Sequence, residues 1–120
     1  MDTVLREVNA QTYLECDPDS GQLLSEADAL DLVAACGEAG TQRLMLHAGN
    51  LPEAFFDLKT GLLGAVLLKF SNYRILTAVV LIPELVGQGR FAEFAMETNR
   101  GRQFRVFYER QAAEDWLLSL

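Results

Sequence analysis

The residues best suited to chemistry lie between Phe55 and Gly64, in the segment FFDLKTGLLG. Asp57 and Thr60 stand there just before Gly61, where a loop is expected to lead into a helix, and a second glycine follows at Gly64. Glycines leave one side of the first helical turn without side chains, and the free backbone N–H groups attract anions or polar partners. The segment therefore predicts a partner-binding or ligand-binding surface at the start of this helix.

Two interpretations of this surface stay open. Thr60 is a good helix cap, and so is Asp57 if the helix begins earlier, so capping alone can explain both side chains. The glycines need a further reason, since Gly61 and Gly64 inside a helix each cost about 1 kcal/mol relative to alanine. Either a neighbouring helix or strand approaches their backbone closely, or a ligand or protein partner does.

A second polar cluster has the sequence ETNRGR and begins at Glu97. Glu97 and Arg100 are spaced to form an ion pair on an exposed helix, and Asn99 can end that helix. In the functional alternative, Arg100 or Arg102 is the cation that faces an anion or acidic side chain bound at the Thr60 turn. The carboxyl end of a helix, however, lies opposite the sheet edge where sites usually form, which argues against one shared pocket.

Sequence motifs for enzymatic chemistry are weak. His47 is the only histidine and follows an apolar run, so it is expected to be structural rather than part of a catalytic triad. Asp57 and Glu97, with Thr60, are the residues that a small enzyme or ligand-binding protein would use in the alternative interpretation. The chain has no metal-ligand spacing, Walker loop or dinucleotide fingerprint, so the sequence predicts no metal site and no cofactor.

Composition limits the class of protein. A chain of 120 residues is the size of a single domain, and its net charge of -7 disfavours binding to nucleic acid. No apolar run approaches the roughly 20 residues of a membrane helix, and the amino terminus has no hydrophobic signal core, so a cytoplasmic protein, monomeric or homodimeric, is expected. Cys16 and Cys36 are then expected to be reduced thiols rather than a disulfide.

The pattern of apolar residues predicts one α/β domain over residues 1–120, with four or five strands in a mixed sheet and Ile75–Ile82 as a buried central strand. The predicted order is β-β-α-β-α-β-α-β-α. Its strands are Thr3–Val8, Gln11–Cys16, Arg43–Ala48, Ile75–Ile82 and Gln103–Tyr108. Its helices are one capped by Ser25 and stopped by Gly37 and Gly40, then Thr60–Asn72, Phe91–Arg100 with Gly101 as its cap, and Gln111–Leu120.

This order, with a D-x-x-T-G-L-x-G segment opening a helix after the third strand, resembles the STAS fold of anti-sigma-factor antagonists. In that family, a D-S-x-G-L-G motif starts the corresponding helix, and the residue before its first glycine is phosphorylated by a partner kinase. The matching residue here is Thr60, while Asp57 and the second glycine each lie one position away from the family pattern. The resemblance implies a regulatory domain with Thr60 as its phosphosite.

A closer similarity is carried by three motifs in order: FFDLKTGLLG, then KFSNYR at Lys69–Arg74, then ETNRGRQ at Glu97–Gln103. They resemble a family of small bacterial domains known as domain of unknown function 4180, which has no assigned activity. In that family, polar positions in the helix after the second glycine are often Glu and Gln, where this chain has Ala65 and Leu68. Any activity that depends on those positions is expected to be reduced here.

The sequence thus favours a regulatory or protein-interaction module over an enzyme, because it offers glycine-lined helix turns and polar caps but no catalytic set. The expected protein-binding surface is the Asp57–Thr60–Gly61 turn with Gly64, under phosphorylation control at Thr60. Candidate binding residues also include Glu97, Asn99 and Arg100.

Overall fold

Five strands form one mixed sheet with the spatial order β1-β2-β3-β4-β5, in a computed structural model that describes residues 1–87 and 89–119. The first two strands form an antiparallel hairpin, and the other three continue the sheet in parallel. The strands are β1 (Thr3–Val8), β2 (Gln11–Cys16), β3 (Arg43–His47), β4 (Leu76–Val80) and β5 (Phe104–Phe107). This arrangement confirms the α/β prediction with a five-stranded mixed sheet.

Helices cover the two faces of the sheet unequally. The helices are α1 (Glu26–Ala39), α2 (Glu53–Phe56), α3 (Leu62–Asn72), α4 (Pro83–Val86), α5 (Arg90–Thr98) and α6 (Arg110–Leu118). One face packs against α1, α3 and α5 in the larger apolar core. The other face packs against α6, in a smaller core built around Tyr13, Met45 and Trp116.

The strand expected at Ile75–Ile82 lies inside the sheet, as predicted. It is shorter than expected, since β4 covers Leu76–Val80, and it pairs with β3 on one side and β5 on the other. Thr77, Ala78 and Val79 are all buried, because one helical layer lies above the strand and another below it. Ile82, beyond the strand, is about half exposed.

The observed helices differ from the predicted ones at several boundaries. Helix α1 runs through Gly37 and ends at Gly40, whose backbone is left-handed with φ 75°. The turn residues of the sequence predict loops at Gly49–Pro52 and Pro83–Gly89, but these segments contain a 3-10 turn and α4, which begins with a proline at its first position. Gln88 in the second of these segments, and Leu120 at the end of the predicted final helix, lie outside the described residues.

The apolar pattern of the sequence predicts a core of mostly buried side chains: Leu63, Val66, Leu67, Phe70, Val79, Leu81, Phe94, Phe104 and Val106. This prediction is confirmed for most of them. Leu67 and Phe94 are only partly buried at the margin of the larger core. The other seven members of the predicted set are buried.

The hairpin turn between β1 and β2 carries backbone strain. Asn9 and Ala10 have φ angles of 52° and 67°, the positive values that two-residue hairpins of the type I′ class require. Asparagine tolerates this conformation, but alanine brings its Cβ too close to the following carbonyl oxygen. The turn fixes the register of β1 against β2, but the left-handed backbone of Ala10 destabilises the folded state.

We expect Ala10→Gly to raise the free energy of unfolding by about 0.5 to 1 kcal/mol, because relief of the left-handed strain exceeds the extra entropy of an unfolded glycine. Urea unfolding followed by circular dichroism measures the change. The matched control is Ala34→Gly on the exposed side of α1, where the same substitution should lower stability by about 1 kcal/mol. Equal losses in the two variants would contradict the assignment of strain to the turn.

Candidate functional site

The polar residues before α3 cap one another locally. The Asp57 carboxylate accepts a hydrogen bond from the backbone N–H of Lys59 at 3.1 Å. The Thr60 hydroxyl donates toward the carbonyl oxygens of Ala54 and Asp57, at 2.7 and 2.9 Å, and accepts from the backbone N–H of Leu62 at 3.3 Å. Thr60 thus ties the end of α2 to the start of α3, while its side chain remains at the surface.

The two glycines of this segment face open space. A Cβ atom added to Gly61 or to Gly64 would have no heavy atom of another part of the described chain within 4 Å. Gly61 caps α3 with φ 77°, a conformation that favours glycine, whereas the backbone of Gly64 is helical. Within residues 1–87 and 89–119, no helix or strand therefore covers Gly64, and the fold supplies no reason for a glycine there.

Leu68 extends the same exposed side of α3. It lies four residues after Gly64, one helical turn further on, and is 59% exposed. Asp57, Thr60, Gly61, Gly64 and Leu68 together are called the α3-start surface below. This surface combines polar caps, uncovered backbone and one large apolar side chain.

The second cluster, at the carboxyl end of α5, is hydrogen-bonded mostly to strand β5. Glu97 and Arg100 form the expected ion pair at 3.7 Å, with both side chains largely exposed. The amide of Asn99 donates to the carbonyl oxygen of Val106 at 3.1 Å and accepts from its N–H at 2.8 Å. The Thr98 hydroxyl donates to the carbonyl oxygen of Phe104 at 2.7 Å. These side chains occupy the outer edge of β5 in place of a further strand.

The two predicted clusters stay apart. The ring of Phe56, next to Asp57, packs on Phe91 at the start of α5, with centroids 4.9 Å apart. Asn99 and Arg100 follow the other end of that helix, about 13 Å further along its axis at 1.5 Å per residue. Candidate residues of the first cluster therefore do not share a pocket with those of the second.

A third cluster, centred on Glu15, was not among the predicted sites. Glu15 is 7% exposed and lies on the sheet face covered by α6. One of its carboxylate oxygens accepts from Arg6 at 2.9 Å and from Arg110 at 2.7 Å. The other accepts from Arg110 at 2.8 Å and lies 2.7 Å from the Nε2 atom of His47. Because an ionised carboxylate can only accept, that nitrogen of His47 carries the proton.

Tyr13 and Glu114 extend this network along α6. The Tyr13 hydroxyl accepts from Arg110 at 2.8 Å and donates to the Glu114 carboxylate. Arg110 therefore makes a bidentate contact to Glu15 and a third hydrogen bond to Tyr13, the fork geometry for which guanidinium is suited. We call Arg6, Tyr13, Glu15, His47, Arg110 and Glu114 the Glu15 network.

The network shifts the titration of its members. Hydrogen bonds from Arg110, and then from His47 and Arg6, lower the pKa of Glu15 from 4.5 to about 2, against the opposing effect of burial. Burial and the hydrogen bond to Glu114 raise the pKa of Tyr13 above its usual value. Hydrogen bonding to Glu15 likewise raises the pKa of Arg110. Glu15 and Arg110 thus stay charged across the physiological range.

The Glu15 network lies at the carboxyl ends of β2 and β3, the edge where α/β sheets usually form their sites. A cavity of about 150 Å³ beside it is lined by residues of β1, β2 and the following loop. The loops at this edge are fixed: a Cβ on Gly49 would lie 2.2 Å from the carbonyl oxygen of Pro18. Buried Asn50 donates to the carbonyl oxygens of Asp17 and Gly21 at 2.9 and 3.2 Å.

Sequence reasoning missed this network because its members are separated along the chain. His47 was expected to be structural. Arg110 belongs to a group of arginines near the carboxyl end for which the sequence predicts a solvated face, with an anion or protein docking patch as the alternative. Two features of the sequence pointed to the network: Glu15 is a charged residue between Leu14 and Cys16 in a predicted strand, and His47 lies near the end of another predicted strand. The pairing of those strands in parallel, which brings the two side chains together, was not predicted.

The two cysteines of the chain are not suited to catalysis. Cys16 and Cys36 are free and buried, and burial raises the pKa of these thiols to about 12 and about 11. Neither is thus a reactive thiolate near neutral pH.

In the part of the chain that the structure describes, no group of three His, Cys, Asp or Glu side chains is placed to hold a metal ion. None of the described helices has the length and apolar character needed to cross a membrane.

Comparison with known proteins identifies the family. The sequence matches the family described as Domain of unknown function (DUF4180) over residues 8–117. The chain belongs to this family. The match confirms the resemblance seen in the three motifs, and DUF4180 carries no assigned activity in its description. No curated protein and no solved structure matched the chain.

The structure separates the three DUF4180 motifs by what they contact. In KFSNYR, Lys69 forms an ion pair with Glu26 of α1 at 2.7 Å and Phe70 is buried in the core. In ETNRGRQ, Thr98 and Asn99 bind β5, and the Gln103 amide donates to the backbone of the residue before β4. These two motifs hold the fold together. The first motif instead leaves the α3-start surface facing outward.

The Glu15 network predicts a specific acid sensitivity. Because the folded-state pKa of Glu15 is depressed from 4.5 to about 2, its contribution is complete above the unfolded value and is lost as the pH falls from about 5 to about 2. We expect Glu15→Gln to lower the free energy of unfolding at pH 7 by about 3 kcal/mol. The variant should then lose less stability than the wild type on acidification.

Urea unfolding at several pH values between 7 and 2 measures both effects. The control is Glu7→Gln on β1, which removes an exposed carboxylate from the neighbouring strand and should follow the wild-type curve. Parallel curves for Glu15→Gln and the wild type would show that the buried carboxylate does not govern acid stability.

Proposed function

We propose that this DUF4180 domain is a regulatory protein-interaction module and that its partner docks on the α3-start surface. The observation that carries the proposal is the uncovered backbone of Gly61 and Gly64 beside exposed Leu68. The opposite side of α3 is committed to the core through Leu63, Val66 and Phe70. The outward side is therefore available to a second molecule.

The glycines favour a macromolecular partner that approaches closely. A glycine in the interior of a helix costs about 1 kcal/mol relative to alanine, and at Gly64 no contact of the described chain compensates for it. A partner element that lies against this bare turn would account for the glycine and would bury Leu68. Contact of this kind, apolar at the centre with polar groups such as Asp57 and Thr60 at the rim, is the usual anatomy of protein interfaces.

Phosphorylation of Thr60 is the form of control that we attach to this surface, on the basis of the resemblance to STAS domains. The Thr60 hydroxyl is at the surface and at a helix start, where the helix dipole stabilises negative charge. A phosphate there would add about -1.5 to -2 charges at pH 7. It would also remove the hydroxyl donor that binds Ala54, so both the charge and the shape of the docking surface would change.

The competing hypothesis is a small-ligand site or enzyme that uses Asp57, Thr60 and Glu97. Asp57 and Thr60 share one turn, but Glu97 belongs to an exposed ion pair near the far end of α5. That separation favours the interaction module. Native mass spectrometry of the protein purified from its own cells distinguishes the hypotheses, because a retained small molecule that is lost in Asp57→Ala would support the ligand site.

Substitution of Gly64 separates stability from function. We expect Gly64→Ala to stabilise the isolated domain by about 0.5 to 1 kcal/mol, since the site has room for a side chain and alanine favours the helix. Gly64→Arg should also fold, yet it should reduce partner capture by about tenfold or more because its side chain blocks close approach. Capture from native cell extract, quantified by mass spectrometry, measures the second effect.

The matched control is Gly37→Arg. Gly37 is also an exposed helical glycine with nothing within 4 Å of its added Cβ, but it lies in α1. Proteins captured by the wild type and by Gly37→Arg, and lost with Gly64→Arg, support the proposal. If all three baits capture the same proteins in the same amounts, the α3-start surface is not the docking site.

The phosphorylation proposal is tested with three substitutions of Thr60. Thr60→Ser keeps the hydroxyl donor, Thr60→Ala removes it without charge, and Thr60→Glu removes it and adds a negative charge. We expect serine to retain partner capture and glutamate to alter it beyond the effect of alanine. Thermal melts verify that the variants fold. Equal capture by the alanine and glutamate variants would argue against control by charge at this position.

A further inference from the structure

The open edge of the sheet suggests a second interaction surface. Among residues 1–87 and 89–119, no strand pairs with the outer side of β1. Val4 and Leu5 point to opposite faces of this strand and are 44% and 47% exposed, so neither helical layer covers it. We propose that β1 pairs with β1 of a second copy of this chain, which joins two sheets into one across a two-fold axis.

Backbone polarity shows which groups are free for this pairing. The N–H of Asp17 donates to the carbonyl oxygen of Asp2 at 2.9 Å, and these residues are opposite one another in the hairpin register. Alternation along an antiparallel ladder then turns the backbone groups of even-numbered residues toward β2. Those of Thr3, Leu5 and Glu7 point outward, away from the sheet.

The other edge of the sheet is closed, which makes the open edge distinctive. Asn99 satisfies both backbone groups of Val106, and Thr98 binds the carbonyl oxygen of Phe104. Such side-chain cover blocks the addition of a strand. The β1 edge has no proline, and its six residues form a regular ladder with β2. It therefore keeps the features that allow edge pairing.

Antiparallel pairing of two copies of β1 centred on Leu5 satisfies the outward backbone groups and brings no like charges together. Centred on Leu5, antiparallel pairing places Leu5 against the partner's Leu5 and Thr3 against the partner's Glu7. All the outward backbone groups of Thr3, Leu5 and Glu7 then find partners. If the pairing were instead centred on Arg6, Arg6 would lie directly opposite the partner's Arg6, which is unfavourable.

A second copy is favoured as the occupant because β1 does not repel its own copy, and because the outward backbone groups of Thr3, Leu5 and Glu7 pair with the same groups of that copy. Arg6 and Glu7 cancel within each strand, so the paired edges carry no local excess of one sign. Pairing of two short strands buries less than the about 1,200 Å² of total surface typical of stable complexes. The dimer should therefore be weak and depend on concentration.

Sedimentation velocity on the full chain from about 5 to about 500 µM should show a shift from monomer toward dimer. We expect Leu5→Pro to weaken this association about tenfold or more, since proline removes an outward N–H that β2 does not use. Leu5→Ala keeps that donor and should weaken it less. A wild-type protein that stays monomeric throughout, or a Leu5→Pro variant that associates as well as the wild type, would overturn the proposal.

Cysteine cross-linking tests the register. In Leu5→Cys, the two new thiols would face each other at the two-fold axis, within the range of about 4.4 to 6.8 Å between Cα atoms that a disulfide spans. In the matched control Glu7→Cys, the two thiols lie on the same face of the paired strands as in Leu5→Cys, but about 13 Å apart. Mild oxidation should cross-link the first variant and not the second. Equal cross-linking of both would indicate random collision or pairing of β1 with another segment.

Discussion

The fold on one side of the sheet depends on the buried carboxylate of Glu15. Taking a carboxylate out of water is costly unless its hydrogen-bonding capacity is filled and its charge is opposed. Glu15 meets both conditions only when Arg110, His47 and Arg6 converge on it. Those residues come from α6, β3 and β1, so one desolvated charge fixes the position of three elements around β2.

That requirement explains how a single helix can cover a face of the sheet. Helix α6 contributes Ala113, Trp116 and Leu117 to the smaller core, while apolar contact alone does not specify where along the sheet a helix must lie. The bidentate contact of Arg110 with Glu15 supplies the direction and register that apolar packing lacks. Arg105 stacks over Trp116 with its guanidinium carbon 5.4 Å from the ring centroid, which holds the far end of the helix.

The larger core, on the other face of the sheet, is built on aromatic packing. This core supports the start of α3, whose other side faces outward. In this core, aromatic side chains of α2, α5 and β5 pack in a chain from Phe55 through Phe91 and Phe94 to Phe104. This packing supports the turn before α3 on its core side. The hydrogen bonds of the Thr60 hydroxyl to the carbonyl oxygens of Ala54 and Asp57 stabilise the turn itself. The α3-start surface therefore lies on a fixed support, as the docking proposed above would require if it occurs without large rearrangement.

Several features were already determined by the sequence. The alternating pattern of Thr3–Val8 and Gln11–Cys16, and the β-branched run within β4, gave the correct strands because burial of one or both faces leaves a direct trace in residue order. Capping at Ser25 and the family motifs were equally local, as the Ser25 hydroxyl does accept from the N–H of Asp28. The exposed capping residues at Asp57 and Thr60 could also be found in this way.

Only the tertiary structure decided how distant residues meet. Parallel pairing of β2 with β3 places Glu15 beside His47, and the return of the chain through α6 brings Arg110 to the same carboxylate, across 95 residues of sequence. No local pattern encodes such convergence, because hydrogen bonding to a buried charge depends on position in space rather than on spacing along the chain. The same reason hid the role of Asn99, whose amide closes the β5 edge only once strand and helix are packed.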